Sequence, residues 1–476
     1  MHSFHYRDGR LFCEEVDVAI AAEKFGTPLY LYSAGTVLDH YRRLDEALAG
    51  FDHLICYAVK ANSNRAILRL LRDAGAGFDI VSGGELFRAL KAGANPAKCT
   101  FAGVGKSREE IEYALEQGVY SFNVESEAEL DYINEIASAK NQRAPIALRV
   151  NPDVEAQTHQ YISTGRSENK FGIALERGAK FYERASKMPA ISIRGVQMHI
   201  GSQITEAAPF VAAIEKIAPL VSELKSKYGI QFFSIGGGLG IVYESSIASG
   251  EEAWWTKRTM PSPQSSLSGR GGSAAPGGGG MSSKNESKRA LSIQEYANAI
   301  LPPLTRLGLR ILLEPGRLLV GNAGILLTRV RYIKETAEKK FAIIDAGMND
   351  LIRPALYGSY HEIVPAEKIT EPSPQSSPSG REGSEAAGEG KTNKIDVVGP
   401  VCESGDFFAQ DREMPELRAG DLLAVMSAGA YGFVMASNYN SRPLPAEALV
   451  RGNKVALIRK RQTIEDLIRD EVDPIW

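Results

Sequence analysis

From about residue 36 to 330 the chain alternates short apolar runs with amphipathic stretches in a regular order. "HLICYAV" precedes "NRAILRLLRDAG", "GFDIVS" precedes "GELFRALKAG", "CTFAGV" precedes "SREEIEYALEQG" and "YSFNVES" precedes "EAELDYINEIASAK". "IALRVNP" opens a further unit, "IRGVQMHIG" precedes "AAPFVAAIEKIAPLVSELKSKYG", and "FFSIGGG" and "LRILLEPGR" complete the series. The apolar runs have strand length, and the stretches after them space apolar residues three and four apart, as one helix face requires. Strand then helix, repeated about eight times, predicts an α/β fold with a parallel (β/α)8 TIM-like barrel rather than an open sheet.

After residue 320 the pattern changes. "GILLTRVRYIKE", "KKFAIIDAG", "KIDVVGPV", "DLLAVMSAGAYG" and "KVALIRKR" read as strands without long helices between them. They predict a second, β-rich domain, a Greek-key-like barrel or sandwich, which "GRLFCEEVDV" and "PLYLYS" near the start can join. The expected division is a barrel over 36–320 and a β domain from 1–35 with 321–476. Two segments, 251–290 and 371–393, interrupt this plan. Inside them "PSPQSSLSGRGGSAAPGGG" (261–279) and "PSPQSSPSGREGSEAAGEG" (372–390) match at 14 of 19 positions. Rich in Pro, Ser and Gly, neither can bury enough apolar surface to fold alone. They read as insertions into surface loops, which tolerate added length at small entropic cost.

Composition narrows the function classes. The 476 residues leave room for two or three domains, and 43% hydrophobic with 24% charged is ordinary for a globular protein. Lys plus Arg is 55 against 58 Asp plus Glu, a net charge of −3 that suggests no nucleic-acid partner. No run of about 18 apolar residues predicts a membrane span, and the charged start "MHSFHYRDGRLFCEEVDV" does not read as a signal peptide. Cys13, Cys56, Cys99 and Cys402 have no metal-ligand spacing and fit a reducing cytoplasm.

Candidate chemistry collects at strand ends, where a parallel barrel builds its active site. Lys60, in "ICYAVKANSN", ends an apolar run. It either closes an edge strand or is an amine whose partial burial lowers its pKa, fit for a Schiff base. Asp79, His199, the run Gly236–Gly238, Glu314 and Arg317 occupy equivalent positions. Singly each has a plain alternative: a helix cap, a core histidine, a tight turn, a surface pair. Together they supply an amine, a glycine-rich phosphate cradle and a carboxylate for a pyridine nitrogen, the set that pyridoxal 5'-phosphate needs.

"YAVKAN", "FDIVSGGE", "HIGSQ", "GGGLG", "EPGR", "RPALYG" and "CESGDF" occur in the order found in diaminopimelate decarboxylases. "NPDVEAQTHQYISTGRSENKFGI" (151–173) is also very similar to that family, and the resemblance covers the chain apart from the two insertions. It implies a pyridoxal-phosphate decarboxylase of the alanine-racemase-like fold, converting meso-diaminopimelate to L-lysine and carbon dioxide, the last step of lysine biosynthesis. By this resemblance Lys60 holds the cofactor as a Schiff base, Glu314 pairs with its pyridine nitrogen and His199 stacks on its ring. Asp79, Ser202, Gly237, Gly238, Gly240 and Glu314, Pro315, Gly316 and Arg317 hold the phosphate or frame the site. Arg317, Arg353 and Tyr357 bind the distal carboxylate, Glu403 the distal ammonium, Tyr431 touches cofactor and substrate, and Cys402 returns the proton. The resemblance also implies a homodimer whose active sites are shared across the interface. The alternatives are an ornithine, arginine or carboxynorspermidine decarboxylase of the same fold, whose pocket would not need paired arginines, and a non-catalytic pyridoxal-phosphate carrier.

Overall fold

A computed structural model describes residues 2–154, 170–257, 290–368 and 393–476. Both Pro/Ser/Gly-rich repeats, and most of the 151–173 stretch, lie outside the described residues. Eight parallel strands follow the predicted runs: His53–Ala58, Gly77–Ile80, Cys99–Phe101, Ser121–Val124, Ala144–Asn151, Ile191–Gln197, Phe232–Ser234 and Arg310–Leu313. Each pairs in parallel with the next. The last pairs with the first, Leu312 opposite Leu54, so the sheet closes into a barrel. The strand ahead of Lys60 is therefore paired on both sides and is not an edge.

Serine and asparagine set the starts of several surrounding helices. Asn64 caps Arg65–Asp73 and Ser82 caps Gly83–Lys91. Ser107 and Ser292 form capping boxes with Glu110 and Glu295, each satisfying backbone donors that the first helical turn leaves free. The buried faces follow the predicted spacing, with Ile67, Leu68 and Leu71 on one helix and Leu130, Ile133, Ile136 and Ala137 on another.

The barrel interior is closed at depth by Leu54, Cys56, Ala147, Phe232 and Leu312. Phe232 fills so much of it that a Cβ on Gly195 would meet its ring at 2.7 Å. Because strand side chains alternate, the residues two positions further along these strands face the same space nearer the C-terminal rim. On three of the strands they are polar, Arg149, Ser234 and Glu314, joined by Gln197, Asp79 and Asn123 from neighbouring strands, all buried. An apolar plug beneath a polar layer places the site.

The later strands form a mixed sheet around the 12-residue strand Gly324–Glu335. This strand pairs with Leu29–Ser33, Leu422–Val425 and Lys340–Ile344 along different parts of its length. "PLYLYS" thus joins the second sheet from the other side of the barrel sequence, flanked in parallel by Ala446–Arg451. "GRLFCEEVDV" meets it through one antiparallel bridge, Arg10 to Glu367, while Arg10–Cys13 pairs as a strand with Phe4–Arg7 and Val16–Asp17 in a three-stranded sheet. Among the described residues no helix is long and apolar enough to cross a membrane, and no cluster of three or more His, Cys, Asp or Glu could hold a metal ion.

Candidate active site

The run "KANSN" is a clamp around one amine. Strand His53–Ala58 ends in a single 3-10 turn, Val59–Ala61, which turns Lys60 into the rim cavity. Tyr57 Oη donates to the Asn62 carbonyl (2.9 Å), Asn62 Oδ1 accepts from Asn64 N–H (3.0 Å), and Asn64 Oδ1 caps the next helix through Ala66 N–H (2.9 Å). Asn64 also reaches the second sheet, donating from Nδ2 to the fully buried Glu447 (2.8 Å). Asn62 Nδ2 likewise donates to the Gly429 carbonyl (3.2 Å), so both asparagine side chains of the run are committed while the amine faces the cavity.

Lys60 Nζ lies 3.2 Å from Asp79 Oδ2. Its side chain keeps 41% of its surface accessible, and that surface lines the cavity, whereas Asp79 is buried. Burial by itself would lower the ammonium's pKa, but the Asp79 carboxylate, with Tyr431 and Glu314 behind it, reverses the direction and raises it. The expectation of a burial-lowered lysine is thereby corrected: in this structure the Asp79 carboxylate favours the ammonium form of Lys60. Asp79 does not cap the following helix, since Ser82 Oγ accepts from Glu85 N–H there (3.2 Å).

Glu314 sits across the cavity floor and is held by donors on three other strands or strand ends. Ser234 Oγ donates at 2.7 Å, Gln197 Nε2 at 2.9 Å and Asn123 Nδ2 at 3.4 Å. Burial, and secondarily the Asp79 charge, push its pKa up to about 7, against the Ser234 bond. It is not in a surface pair with Arg317: both are buried and their partners differ. His199 shares the cavity; burial first, then Arg149 and Lys60, hold its pKa well below the usual imidazole range. The ring is therefore neutral, and its Nδ1 accepts from Gly237 N–H at 3.3 Å.

The glycine run approaches backbone too closely for any side chain. A Cβ on Gly237 would stand 2.3 Å from the Glu314 carbonyl, and one on Gly238 2.5 Å from the Gly201 carbonyl. Gly236–Gly238, Ser202, Pro315, Gly316, Arg317 and Tyr431 line the same cavity as Lys60, His199 and Glu314. Gly240 does not; it borders a neighbouring cavity and donates its N–H to Ile204 (2.9 Å). Tyr431 is anchored by its N–H to the Ala61 carbonyl (2.8 Å), and the Arg317 guanidinium lies 5.0 Å from its ring centre.

The distal candidates divide. Arg353 is buried at the start of the short helix Arg353–Tyr357, with Tyr357 one turn later on the same helix. Arg317 and Arg353 both donate to the phenol oxygen of Tyr243. None of Arg353, Tyr357, Cys402 and Glu403 lines the cavity, and Cys402 and Glu403 are in addition exposed. Their loop is held by Asp406, whose carboxylate accepts from Met348 N–H (2.6 Å) and Val401 N–H (2.7 Å), while Glu403 accepts from Tyr439 Oη at 3.4 Å.

Sequence reasoning missed Asn123, Arg149, Gln197, Ser234 and Tyr243. Four of them had a signal: each is the polar residue at or near a strand's C-terminal end, and Gln197 shares the alternation of His199. Arg149 lines the cavity and pairs with buried Glu125 at 3.0 Å. Tyr243 follows the glycine run in a loop, where no periodicity marks it.

A lysine, a buried carboxylate opposite it and a side-chain-free backbone cradle at a barrel rim define the class of pyridoxal-dependent decarboxylases. A family model for the pyridoxal binding domain of pyridoxal-dependent decarboxylases matches residues 34–257. Within that class the chain belongs to the diaminopimelate decarboxylase family. It is 45% identical over 472 residues to a diaminopimelate decarboxylase of Pseudomonas aeruginosa, covering 99% of each. A solved diaminopimelate decarboxylase of M. jannaschii in co-complex with L-lysine superposes with a TM-score of 0.82 at 36% identity, over 99% of this chain and 98% of that one. One from Helicobacter pylori complexed with L-lysine gives 0.79 at 38%, over 95% and 98%.

The residues present fit pyridoxal phosphate. The glycine cradle excludes side chains where a phosphate would approach. Gln197 Oε1 and Asp79 Oδ1 are buried without a hydrogen-bond partner among the described residues, beside the lysine and carboxylate that a cofactor would engage.

Proposed function

We propose that the protein decarboxylates meso-diaminopimelate at its D-configured carbon to give L-lysine and carbon dioxide, using pyridoxal 5'-phosphate. The observation that carries the substrate is the pair Arg317 and Arg353: two buried guanidinium groups with no ion pair among the described residues. Buried charges of one sign are costly without a counter-charge, and a forked guanidinium suits a carboxylate. The far end of diaminopimelate supplies one. Ornithine or arginine supplies none, which disfavours the diamine-forming alternative.

Lys60 would hold the cofactor covalently once free of Asp79, with Glu314 against the ring nitrogen, neutral His199 on the ring face, and Gly237 and Gly238 with Ser202 around the phosphate. When bound, the cofactor supplies an electron sink for the pair released as carbon dioxide departs. Glu314 is suited to this because a carboxyl with pKa about 7 becomes a full carboxylate when a cationic N–H faces it. Tyr357 would add a hydroxyl at the distal carboxylate and Glu403 a charge for the distal ammonium. Cys402 Sγ would deliver a proton to the carbon that lost carbon dioxide.

Cys402 and Glu403 lie outside this chain's own cavity, which supports a homodimer in which each subunit lends its loop to the other. We assign residues 36–320 to the cofactor barrel and 1–35 with 321–476 to the β domain that carries this loop, with the two Pro/Ser/Gly-rich segments as passive insertions. Four unpaired cysteines, one exposed, support a cytoplasmic setting. The test is carbon dioxide release by the holoenzyme from meso-diaminopimelate, ornithine and arginine side by side. Diaminopimelate should be strongly preferred; equal or better turnover of ornithine or arginine overturns the substrate.

A further inference from the structure

Arg317 and Arg353 arrive from different parts of the fold, one on the turn after the last barrel strand and the other on a short helix beyond the long strand of the second sheet. Like charges brought together under cover repel, so something must set their separation. Both point Nη1 at a single atom, the phenol oxygen of Tyr243, Arg353 at 2.7 Å. Each guanidinium has its other terminal nitrogen on a serine hydroxyl: Arg317 Nη2 on Ser202 Oγ at 3.1 Å and Arg353 Nη2 on Ser359 Oγ at 3.3 Å. Both cations also lie close to the Tyr243 ring, 5.8 and 5.1 Å from its centre.

Tyr243 is itself fixed. Its ring meets His361 edge to face at 5.2 Å, and His361 Nδ1 bonds the Met426 carbonyl at 2.8 Å. The preceding carbonyl, Val242, accepts from Asn322 Nδ2 (2.9 Å) and Ser427 Oγ (3.2 Å). Neither Tyr243 nor Arg353 lines the cavity, whereas Arg317 does. The phenol therefore borders the cavity through Arg317 and holds Arg353 beside it.

We infer that Tyr243 is a specificity-determining positioning residue, whose phenol oxygen holds the Arg317 and Arg353 forks side by side as a template for the substrate's distal carboxylate. This rests on the diaminopimelate reading above. The oxygen's two lone pairs accept one N–H of each fork and so hold the two forks at one spacing before a carboxylate arrives, which lowers the cost of ordering them. Burial alone would raise the phenol's pKa, but the two guanidinium charges outweigh burial and bring the pKa below the ordinary tyrosine value.

Tyr243→Phe removes the oxygen and keeps the ring. In the holoenzyme, KM for meso-diaminopimelate should rise about tenfold, the scale of one hydrogen bond to a charged group, while kcat stays within about twofold. D-Lysine, with the same reacting carbon and no distal carboxylate, should keep its inhibition constant, a split that general loosening of the fold would not produce. If Tyr243→Phe loses cofactor absorbance or its melting transition, Ser359→Ala, which frees the other end of Arg353, carries the same expectation at smaller size. A wild type that releases no carbon dioxide from diaminopimelate overturns the functional reading. An active wild type with an unchanged KM in the variant, or with D-lysine and diaminopimelate weakened alike, overturns the role of Tyr243 alone.

Discussion

The two ends of the candidate site are built differently. At the cofactor end, Lys60, Asp79, Asn123, Gln197, Ser234 and Glu314 come from strands, or strand ends, of one closed sheet, and their bonds to one another lie between 2.7 and 3.4 Å. At the distal end, Arg317 and Arg353 are buried and braced by Tyr243, but Cys402 and Glu403 stand exposed on a loop of the second sheet's region. A cofactor that stays bound needs a rigid cradle. A substrate that must enter and leave is better served by a site completed by elements outside the barrel.

Removing Lys60 should have the largest effect. Lys60→Ala should abolish carbon dioxide release, and borohydride reduction of the wild-type holoenzyme should leave pyridoxyl on Lys60; a label on another lysine breaks the assignment of the cofactor end. Next, Cys402→Ala should lower kcat by about two to four powers of ten, the range for losing a proton donor, with substrate binding retained. Mixing it with Lys60→Ala should restore activity if subunits share sites, because one site per mixed dimer is then intact. No recovery would place the whole distal set within one chain.

Arg353→Ala should cost about 1.5–3 kcal/mol, the worth of a hydrogen bond to a charged group, or roughly one to two powers of ten in kcat/KM. Normal turnover of diaminopimelate by that variant would remove the basis for the distal end. The smallest effect concerns pH. Glu314, with pKa raised to about 7 from 4.5, binds its proton more tightly folded than unfolded. The cofactor-free protein should then lose stability as pH rises from about 4.5 to about 7. Glu85 and Asp350, also raised to about 7, act with the same sign. Glu314→Gln should therefore shrink the slope of denaturation midpoint against pH without removing it.

Alternating strand and helix patterns were enough to locate all eight barrel strands, because each unit must bury its own apolar face locally. Lys60, His199, the glycine run and Glu314 were visible for a related reason: strand ends in a parallel barrel share one rim. The route of "PLYLYS" into the second sheet was only an option in the sequence, since its partners Gly324–Leu327 and Ala446–Val450 lie hundreds of residues away. The direction of the Lys60 shift was misread because desolvation can be guessed from an apolar run, but the distance to a carboxylate cannot. Tyr243 gave no signal in a loop with neither period nor neighbours to mark it.

Residue order and type thus determined the barrel and the cofactor set, through local periodicity and short motifs at strand ends, and the resemblance of those motifs to a known family gave the kind of reaction. Tertiary structure alone decided that the Asp79 carboxylate raises the Lys60 pKa, that burial raises that of Glu314, and that one phenol accepts from two arginines. Those are matters of distance and solvent exclusion between segments far apart in the chain, and Coulomb interactions depend on both.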